Sequence, residues 1–252
     1  MRQTERLASI LEALAADRTV GVARLAERLD VSAATIRRDL GLLQDQRLLS
    51  RTHGGAIAQG VIYELPLRYK GARRQDEKRR IAAAAVAQID DGMAVGLTGG
   101  TTCTEVARAL VDRERLTVVT NAINIASELA VRPNLRLVVT GGTARPESYE
   151  LVGPIADQAL AGLHLDVACI GVDGIDAAAG CTTHHEVEAA TDLALIERAG
   201  RVLVVADSSK LGQVTFAQIC PLERVDVLIT DRGAGVRALH EMREAGVEVL
   251  AV

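Results

Sequence analysis

The sequence has almost no aromatic residues: tryptophan is absent, and one phenylalanine and three tyrosines are spread over 252 residues. Proteins that bind RNA or single-stranded DNA by base stacking need exposed rings, so the composition argues against that class. The apolar residues are mostly Ala, Val, Leu and Ile, which is typical of helices packed on buried parallel strands.

Long apolar runs and closely spaced cysteines are also missing. No stretch reaches membrane-spanning length, and the first residues, MRQTERLASILEAL, are amphipathic rather than continuously apolar like a signal peptide. We therefore expect a cytoplasmic protein with no membrane partner. The four cysteines contain no CxxC pair, so we expect them to fill cores rather than form disulfides.

The net charge of −4 hides a division along the chain. Residues 1–80 contain 16 basic and 10 acidic residues, whereas residues 81–252 contain 13 and 23. A basic first segment joined to an acidic body is typical of a polyanion-binding module attached to a second domain.

Apolar residues at helical spacing predict helices over residues 3–16 and 22–29, followed by a tight turn at Asp30. Asp tolerates the left-handed conformation that such a turn needs. Ser32 is a good N-cap for a third helix, and the small Ala26 lies where two crossing helices would touch. This spacing predicts a helix-turn-helix.

The third helix has an apolar stripe at Ile36, Leu40 and Leu43, so Arg37 and Arg38 point away from the core. The start of such a helix enters the major groove of duplex DNA. Arg there suits guanine edges or phosphates, and Ser and Thr suit phosphates or either base type.

A short hairpin follows, with strands over 48–51 and 56–58 around a turn at 53–55. It predicts the wing of a winged helix, whose tip reaches a phosphate or the minor groove. The alternative is a small helical bundle with a solvated arginine pair and an unrelated hairpin. The candidate DNA contacts are Ser32, Thr35, Arg37, Arg38, Arg51 and His53.

Three segments resemble the DNA-binding domain of DeoR-type bacterial transcriptional regulators: Arg6 with Ile10, the run SAATIRRDL over 32–40, and RTHGGA over 51–56. The resemblance continues through the second domain and covers nearly the whole chain. We expect a DNA-binding domain over 1–59 and a basic linker over 60–76. The effector-binding domain is expected over 77–252.

From Ile81 onward apolar runs alternate with helical patterns, which predicts an α/β domain with a parallel sheet covered on both faces. The predicted strands lie at 93–97, 116–119, 135–139, 167–170, 202–205, 225–229 and 247–252. The predicted helices include 102–110, 123–131, 188–199 and 236–245.

Ligands of such sheets bind beyond the carboxyl ends of the strands, and polar or glycine-rich residues follow five of them here. The TGGTT loop over 98–102 opens a helix, where free N–H groups and the helix dipole favour an anion. Ordinary strand-to-helix turns are the alternative. The candidate effector-binding residues are Thr98, Gly99, Gly100, Thr101, Thr102, Asn121, Gly141, Gly142, Arg145, Asp173, Glu188 and Lys210.

The second domain resembles the DeoR-type sensor, which is similar in fold to ribose-5-phosphate isomerase. The resemblance implies a phosphorylated sugar, with its phosphate on the TGGTT loop and Asp173, Glu188 and Lys210 facing the sugar. The segment 180–188 has no lysine where the isomerases have one, so binding without turnover is expected. Thr98 stands where many family members have Asp, and many have a basic residue near Asp192.

The run His184-His185-Glu186 predicts no metal site, because adjacent side chains point in different directions. No cofactor and no catalytic residue are expected. The function predicted is a ligand-controlled regulator, most simply a repressor of a sugar-catabolism operon that binds paired half-sites as a homo-oligomer, dimer or tetramer. The alternatives are a sugar-phosphate isomerase with a DNA-binding appendage and a constitutive DNA-binding protein.

Overall fold

The structure, a computed structural model, describes residues 2–58, 66–71 and 73–252 and divides into two compact units, Met1–Arg73 and Arg74–Val252. The helices are α1 (Gln3–Asp17), α2 (Val22–Arg28), α3 (Ala33–Asp45), α4 (Leu67–Lys70), α5 (Gln75–Val86), α6 (Thr101–Ala109), α7 (Ile123–Leu129), α8 (Pro154–Leu160), α9 (Glu186–Ile196) and α10 (Val236–Glu244). The strands are β1 (Thr19–Gly21), β2 (Leu49–Thr52), β3 (Gly55–Ala58), β4 (Ala94–Leu97), β5 (Thr117–Thr120), β6 (Arg136–Val139), β7 (Thr143–Ala144), β8 (Leu151–Val152), β9 (Leu165–Ile170), β10 (Gly174–Asp176), β11 (Gly180–Thr183), β12 (Ala199–Val205), β13 (Ala217–Cys220), β14 (Val227–Thr230) and β15 (Glu248–Ala251).

The first unit packs α1, α2 and α3 against a three-stranded antiparallel sheet in the order β1-β3-β2. The stripe of Ile36, Leu40 and Leu43 is buried, so the predicted helix-turn-helix core is confirmed. The structure adds β1, which pairs with β3 through Thr19–Gly21. A three-residue strand is too short to produce a sequence pattern.

The segment predicted as a linker differs from a plain connector. Residues 60–65 lie outside the described residues, but the next part forms α4, and its Tyr69 is buried in the core of the first unit. Arg73 pairs with Glu12 of α1. In the second unit, Arg74 donates to Ser208 Oγ at 2.7 Å. Both arginines therefore have partners within the protein.

The second unit is built on a seven-stranded sheet in the order β15-β14-β12-β9-β4-β5-β6, and every neighbouring pair in it is parallel. All seven strands match predicted apolar runs, so the predicted α/β fold is confirmed. Successive residues alternate between two cores: Leu203 and Val205 face one, and Val202 and Val204 face the other. Helices α5, α6 and α7 contribute to the first core, and α8, α9 and α10 to the second.

Three features of the second unit differ from the sequence expectation. A small antiparallel sheet, β10-β11-β13, packs in the second core, and β7 pairs with β8 as a short hairpin. The helix predicted over 188–199 runs over Glu186–Ile196, because Ala199 already pairs with Leu165 as the start of β12. Sheet pairing here overrides helix propensity.

All four cysteines are buried and carry free thiols, as expected of residues that fill cores. Within the described ranges, the helices are too short or too polar to cross a membrane.

Candidate functional site

The start of α3 has the local geometry that the sequence predicts. Asp30 adopts a left-handed conformation with φ of 50°, which turns the chain between α2 and α3. Ser32 caps α3: its Oγ accepts from the backbone N of Thr35 at 3.1 Å and lies 2.9 Å from Thr35 Oγ1. The cap satisfies an N–H that the helix itself leaves free, which stabilises the first turn of α3.

The outer face of α3 presents Arg37 and Arg38, and both are exposed. The next residue, Asp39, is 1% exposed and binds the guanidinium of Arg6 on α1 through Nε and through Nη2, the latter at 3.0 Å from Oδ1. The hydrogen bond to Asp39 raises the pKa of Arg6 above its usual value. This ion pair joins α1 to α3, and sequence reasoning missed it because the two residues are 33 positions apart.

The β2–β3 hairpin presents Arg51 and His53 to solvent. Gly55 sets its close packing, since a Cβ there would lie 1.8 Å from the carbonyl oxygen of Val20 on β1. A larger residue at position 55 would separate β1 from β3. All six candidate DNA contacts thus lie in the first unit, with Ser32, Arg37, Arg38, Arg51 and His53 exposed.

In the second unit, parallel strands bring the candidate effector residues to one edge of the sheet. Each predicted loop follows a strand at its carboxyl end, and these ends share an edge because all seven strands run the same way. The glycine loop after β4 enters α6 with Gly100 at φ 98°, and Gly100 and Thr101 are partly exposed. The free N–H groups of the first turn of α6 are suited to an anion.

Three candidates are more buried than the sequence suggested. Thr98 is 1% exposed, and its Oγ1 accepts from Gly171 N at 2.9 Å, so it links β4 to the loop after β9. Thr102 and Asn121 are buried as well. The Thr98 hydroxyl is engaged by Gly171, and effector binding at these three residues stays a prediction.

Two ion pairs connect the remaining charged candidates. Lys210 Nζ lies 3.1 Å from Asp173 Oδ1, and Arg145 donates to Glu188. One pair joins the loop after β9 to the segment after β12, and the other joins the residue after β7 to the first turn of α9. Because the four side chains are only partly exposed or buried, these pairs are less screened by water than surface pairs.

The loop after β6 turns back sharply to complete this edge. Gly141 and Gly142 have φ of 73° and 123°, and a Cβ at Gly142 would lie 2.8 Å from the carbonyl oxygen of Val152. Tyr149 also has a positive φ of 61°, which is unusual for a large side chain. This path places the following residue, Glu150, under the glycine loop.

Two buried carboxyl groups, those of Glu150 and Asp192, are not among the candidate residues predicted from the sequence. Glu150 packs so closely on Gly99 that a Cβ there would lie 2.0 Å from Glu150 Oε1. Burial, followed by the charges of Asp192 and Glu188, raises the pKa of Glu150 well above its usual value. Burial and the charges of Glu188 and Asp173 raise the pKa of Asp192 in the same way. The closest signal in the sequence was the spacing of Glu188 and Asp192, one turn apart on the same helix face.

The adjacent histidines have different partners. His185 caps α9, with its Nδ1 accepting from Val187 N at 3.2 Å, and His184 Nε2 lies 3.9 Å from Asp173 Oδ2. The two imidazoles thus have different partners, as expected for adjacent side chains that point in different directions.

Comparisons with known proteins also divide the chain into two domains. Residues 6–59 match the DeoR-like helix-turn-helix domain, and residues 73–232 match the DeoR C terminal sensor domain. The chain is similar to a putative aga operon transcriptional repressor from Escherichia coli O157:H7, with 36% identity over 99% of this chain and 94% of that protein. It is also similar to the glycerol-3-phosphate regulon repressor of Escherichia coli K12, with 31% identity over 99% of each.

Among solved structures, a ribose 5-phosphate isomerase from Plasmodium falciparum matches 53% of this chain and 51% of its own, with 14% identity and a TM-score of 0.39. The match therefore covers about half of each chain.

Proposed function

The chain belongs to the DeoR family of transcriptional regulators, and from this we propose that it represses an operon for carbohydrate catabolism and releases its operator when a phosphorylated sugar binds. In this proposal α3 enters the major groove of duplex DNA and the β2–β3 hairpin contacts the backbone or minor groove. The sugar phosphate binds at the carboxyl edge of the seven-stranded sheet.

One observation carries the proposal: a single chain combines a capped helix with an exposed arginine pair and a glycine loop that opens α6 at a ligand-binding edge. Arg37 and Arg38 are held outward because Ile36 and Leu40 are buried on the opposite face of α3. At the sheet edge, Gly100 and Thr101 offer backbone N–H groups to a phosphate. Lys210 adds a positive charge on the same edge.

The chain is a regulator rather than an enzyme of sugar phosphates. The relatives that match over nearly their whole length are named as repressors. Glu188, the base that an isomerase would need, is bound by Arg145, and the segment 180–188 contains no lysine to stabilise a developing enediolate charge.

Control of DNA binding follows from a population shift. Paired half-sites require two or more copies of the chain, so we propose a homo-oligomer, dimer or tetramer, acting on chromosomal DNA in the cytoplasm. A sugar phosphate that binds better to the arrangement unsuited to DNA shifts the population towards it. The two affinities are then coupled reciprocally.

The effector part is tested by the thermal unfolding of the full chain with a panel of phosphorylated sugars and their unphosphorylated forms. A ligand of the folded state must raise the unfolding temperature, so we expect stabilisation by at least one sugar phosphate and by none of the free sugars. Lys210→Ala should weaken this stabilisation, whereas Arg237→Ala on the exposed face of α10 should leave it unchanged. No stabilisation by any member of the panel would contradict the effector site.

A further inference from the structure

We propose that Cys181 and Cys220 are a redox-active pair, which a peroxide oxidises to an intramolecular disulfide and a thiol reductant restores. The candidate DNA and effector contacts include neither thiol, so this inference goes beyond the proposed function and does not rest on it.

The backbone of the small antiparallel sheet places the two cysteines opposite each other. Cys181 lies on β11, and its register partner on β13 is Cys220. Residues directly opposite in an antiparallel pair have Cα atoms about 4.5–5.5 Å apart and side chains on the same face of the sheet. A disulfide needs Cα atoms about 4.4–6.8 Å apart, so this register meets its backbone requirement.

The two strands also approach closely beside the pair. Gly180, the residue before Cys181, has a φ of 72°, and a Cβ there would lie 2.3 Å from the carbonyl oxygen of Cys220. The register shifts between Cys181 and Thr182, so the cysteines form the paired position beyond the shift, at the end of β13. The fold thus holds the two cysteines together where the ladder ends.

The two thiols are hydrogen-bonded to each other. The hydrogen bond from Cys181 lowers the pKa of Cys220; burial opposes this change, and the positive charge of Arg224 adds to it. The same hydrogen bond, followed by burial, raises the pKa of Cys181 well above its usual value. Because the thiolate is the nucleophile, Cys220 is the attacking residue and Cys181 the resolving one.

An oxidant reaches the pair through the end of the small sheet. Both thiols are buried, but β13 is an edge strand of the sheet β10-β11-β13, and exposed Pro221 follows Cys220 directly. Strand ends at an edge open locally at a lower free-energy cost than the core of a domain. Hydrogen peroxide is little larger than water, so opening of this end is sufficient to admit it.

The reaction balances with hydrogen peroxide as the two-electron oxidant. The Cys220 thiolate attacks one peroxide oxygen, the O–O bond breaks, and a sulfenic acid forms on Cys220. The hydroxide released takes up the proton that Cys220 lost and becomes water. The Cys181 sulfur then attacks the sulfenic sulfur and forms the S–S bond, and the hydroxyl group leaves with the Cys181 proton as a second water.

The other two cysteines lack this arrangement and are internal controls. Cys103 lies on α6 and Cys169 on β9, so they are not strand partners, and the Cys103 thiol donates to the carbonyl oxygen of Cys169 at 3.7 Å. Burial raises the pKa of Cys169 to about 12 and raises that of Cys103 as well. Both thiols should therefore stay reduced.

A disulfide at this position restrains a strand that contacts a candidate effector residue. Thr182 and Thr183 follow Cys181 on β11. The carbonyl oxygen of Thr182 accepts from Asp173 N at 3.0 Å, and Thr183 Oγ1 donates to Asp173 Oδ2 at 3.4 Å. Oxidation of the pair thus fixes the strand against which Asp173 is held.

The test treats the reduced full chain with hydrogen peroxide, blocks the remaining thiols with iodoacetamide in urea, and maps unreduced peptides by mass spectrometry. Asp173 and Asp176 lie between Cys169 and Cys181, so cleavage after acidic residues separates these two cysteines. We expect most molecules to contain a cross-linked peptide pair with Cys181 and Cys220, two hydrogen atoms lighter than the reduced peptides. Dithiothreitol should remove the cross-link, and the other two thiols should be alkylated as in the untreated protein.

Variants assign the two roles. Cys181→Ser leaves Cys220 without a resolving thiol, so peroxide should produce a sulfenic acid on Cys220 that dimedone traps. Cys220→Ser should leave Cys181 without a dimedone adduct, because its pKa is raised. Cys103→Ser is the matched control and should form the cross-link like the unmodified protein.

Four alkylated thiols after peroxide treatment of the folded chain, or a cross-link that forms only in urea, would overturn the inference. A disulfide that joins either cysteine of the pair to Cys103 or Cys169 would overturn it as well. None of these outcomes depends on DNA or on a sugar phosphate, so the proposed function is tested separately.

Discussion

The ion pair between Arg6 and Asp39 allows the sharpest test of how α3 is held. Asp39→Asn keeps the shape of the side chain but leaves the guanidinium of Arg6, 11% exposed, without its charged partner. Breaking a buried ion pair from one side costs about 3–5 kcal/mol. Since Arg6 keeps some contact with solvent, we expect about 3 kcal/mol, at the lower end of that range.

An exposed pair in the same unit is the matched control. Arg24 pairs with Asp17, and these side chains are 65% and 50% exposed. Surface pairs of this kind contribute about 0–1 kcal/mol, so Asp17→Asn should have almost no effect on stability. The two substitutions have the same chemistry, and burial alone separates their expected results.

Hydrogen exchange of the full chain, read by mass spectrometry on peptides from α3, measures the effect within the first unit. A loss of about 3 kcal/mol corresponds to roughly a hundredfold faster exchange where amides exchange through opening of this unit. Peptides from α9 should be unchanged and serve as the internal reference. Exchange of α3 within threefold of the unmodified protein, or an equal effect of Asp17→Asn, would refute the reasoning.

Three further predictions address DNA binding, the glycine loop and the buried carboxyl group of Asp192. Arg37→Ala and Arg38→Ala should each weaken operator binding by about 1–3 kcal/mol in fluorescence anisotropy, and wild-type affinity in both would contradict the placement of α3. Gly99→Ala places a Cβ against Glu150, so it should lower the unfolding temperature and abolish stabilisation by sugar phosphates. Adding Glu150→Ala removes the clash and should restore part of the lost stability. No recovery in the double variant would argue against this contact. Because the pKa of Asp192 is raised in the folded protein, the free energy of unfolding should fall as the pH rises above about 4, the usual value for Asp. Asp192→Asn should therefore be more stable than the unmodified protein at pH 8 but not at pH 4. Urea denaturation measures the free energy of unfolding of both proteins, and an equal difference at the two pH values would contradict the raised pKa of Asp192.

The parallel sheet could be predicted from sequence because its inner strands are largely buried, whereas the edge strands β6 and β15 are partly exposed. Buried parallel strands are rich in aliphatic residues, and an apolar run marks each of the seven strands. The start of α3 could also be predicted from the sequence, since the turn at Asp30 and the cap at Ser32 are local features. Local geometry and burial pattern together were sufficient for both.

The remaining features depend on contacts between distant residues. Helix α4 is stable because Tyr69 is buried against the first unit, which its short, basic sequence does not indicate. Glu150 lies between β7 and β8, 51 positions after Gly99 in the chain, and packs on Gly99 only when this segment folds back. The hydrogen bond of the Thr98 hydroxyl could not be predicted for the same reason, because its partner Gly171 lies 73 positions away.

The central claim, that a sugar phosphate controls DNA binding, is tested most directly by one titration. A duplex selected by the full chain from a random-sequence pool is labelled, and its affinity is measured by fluorescence anisotropy with and without each phosphorylated sugar. Allosteric coupling of about 1–3 kcal/mol predicts a loss of roughly 5- to 150-fold in affinity with at least one sugar phosphate. Unchanged affinity at saturating concentrations of every sugar phosphate would contradict the account.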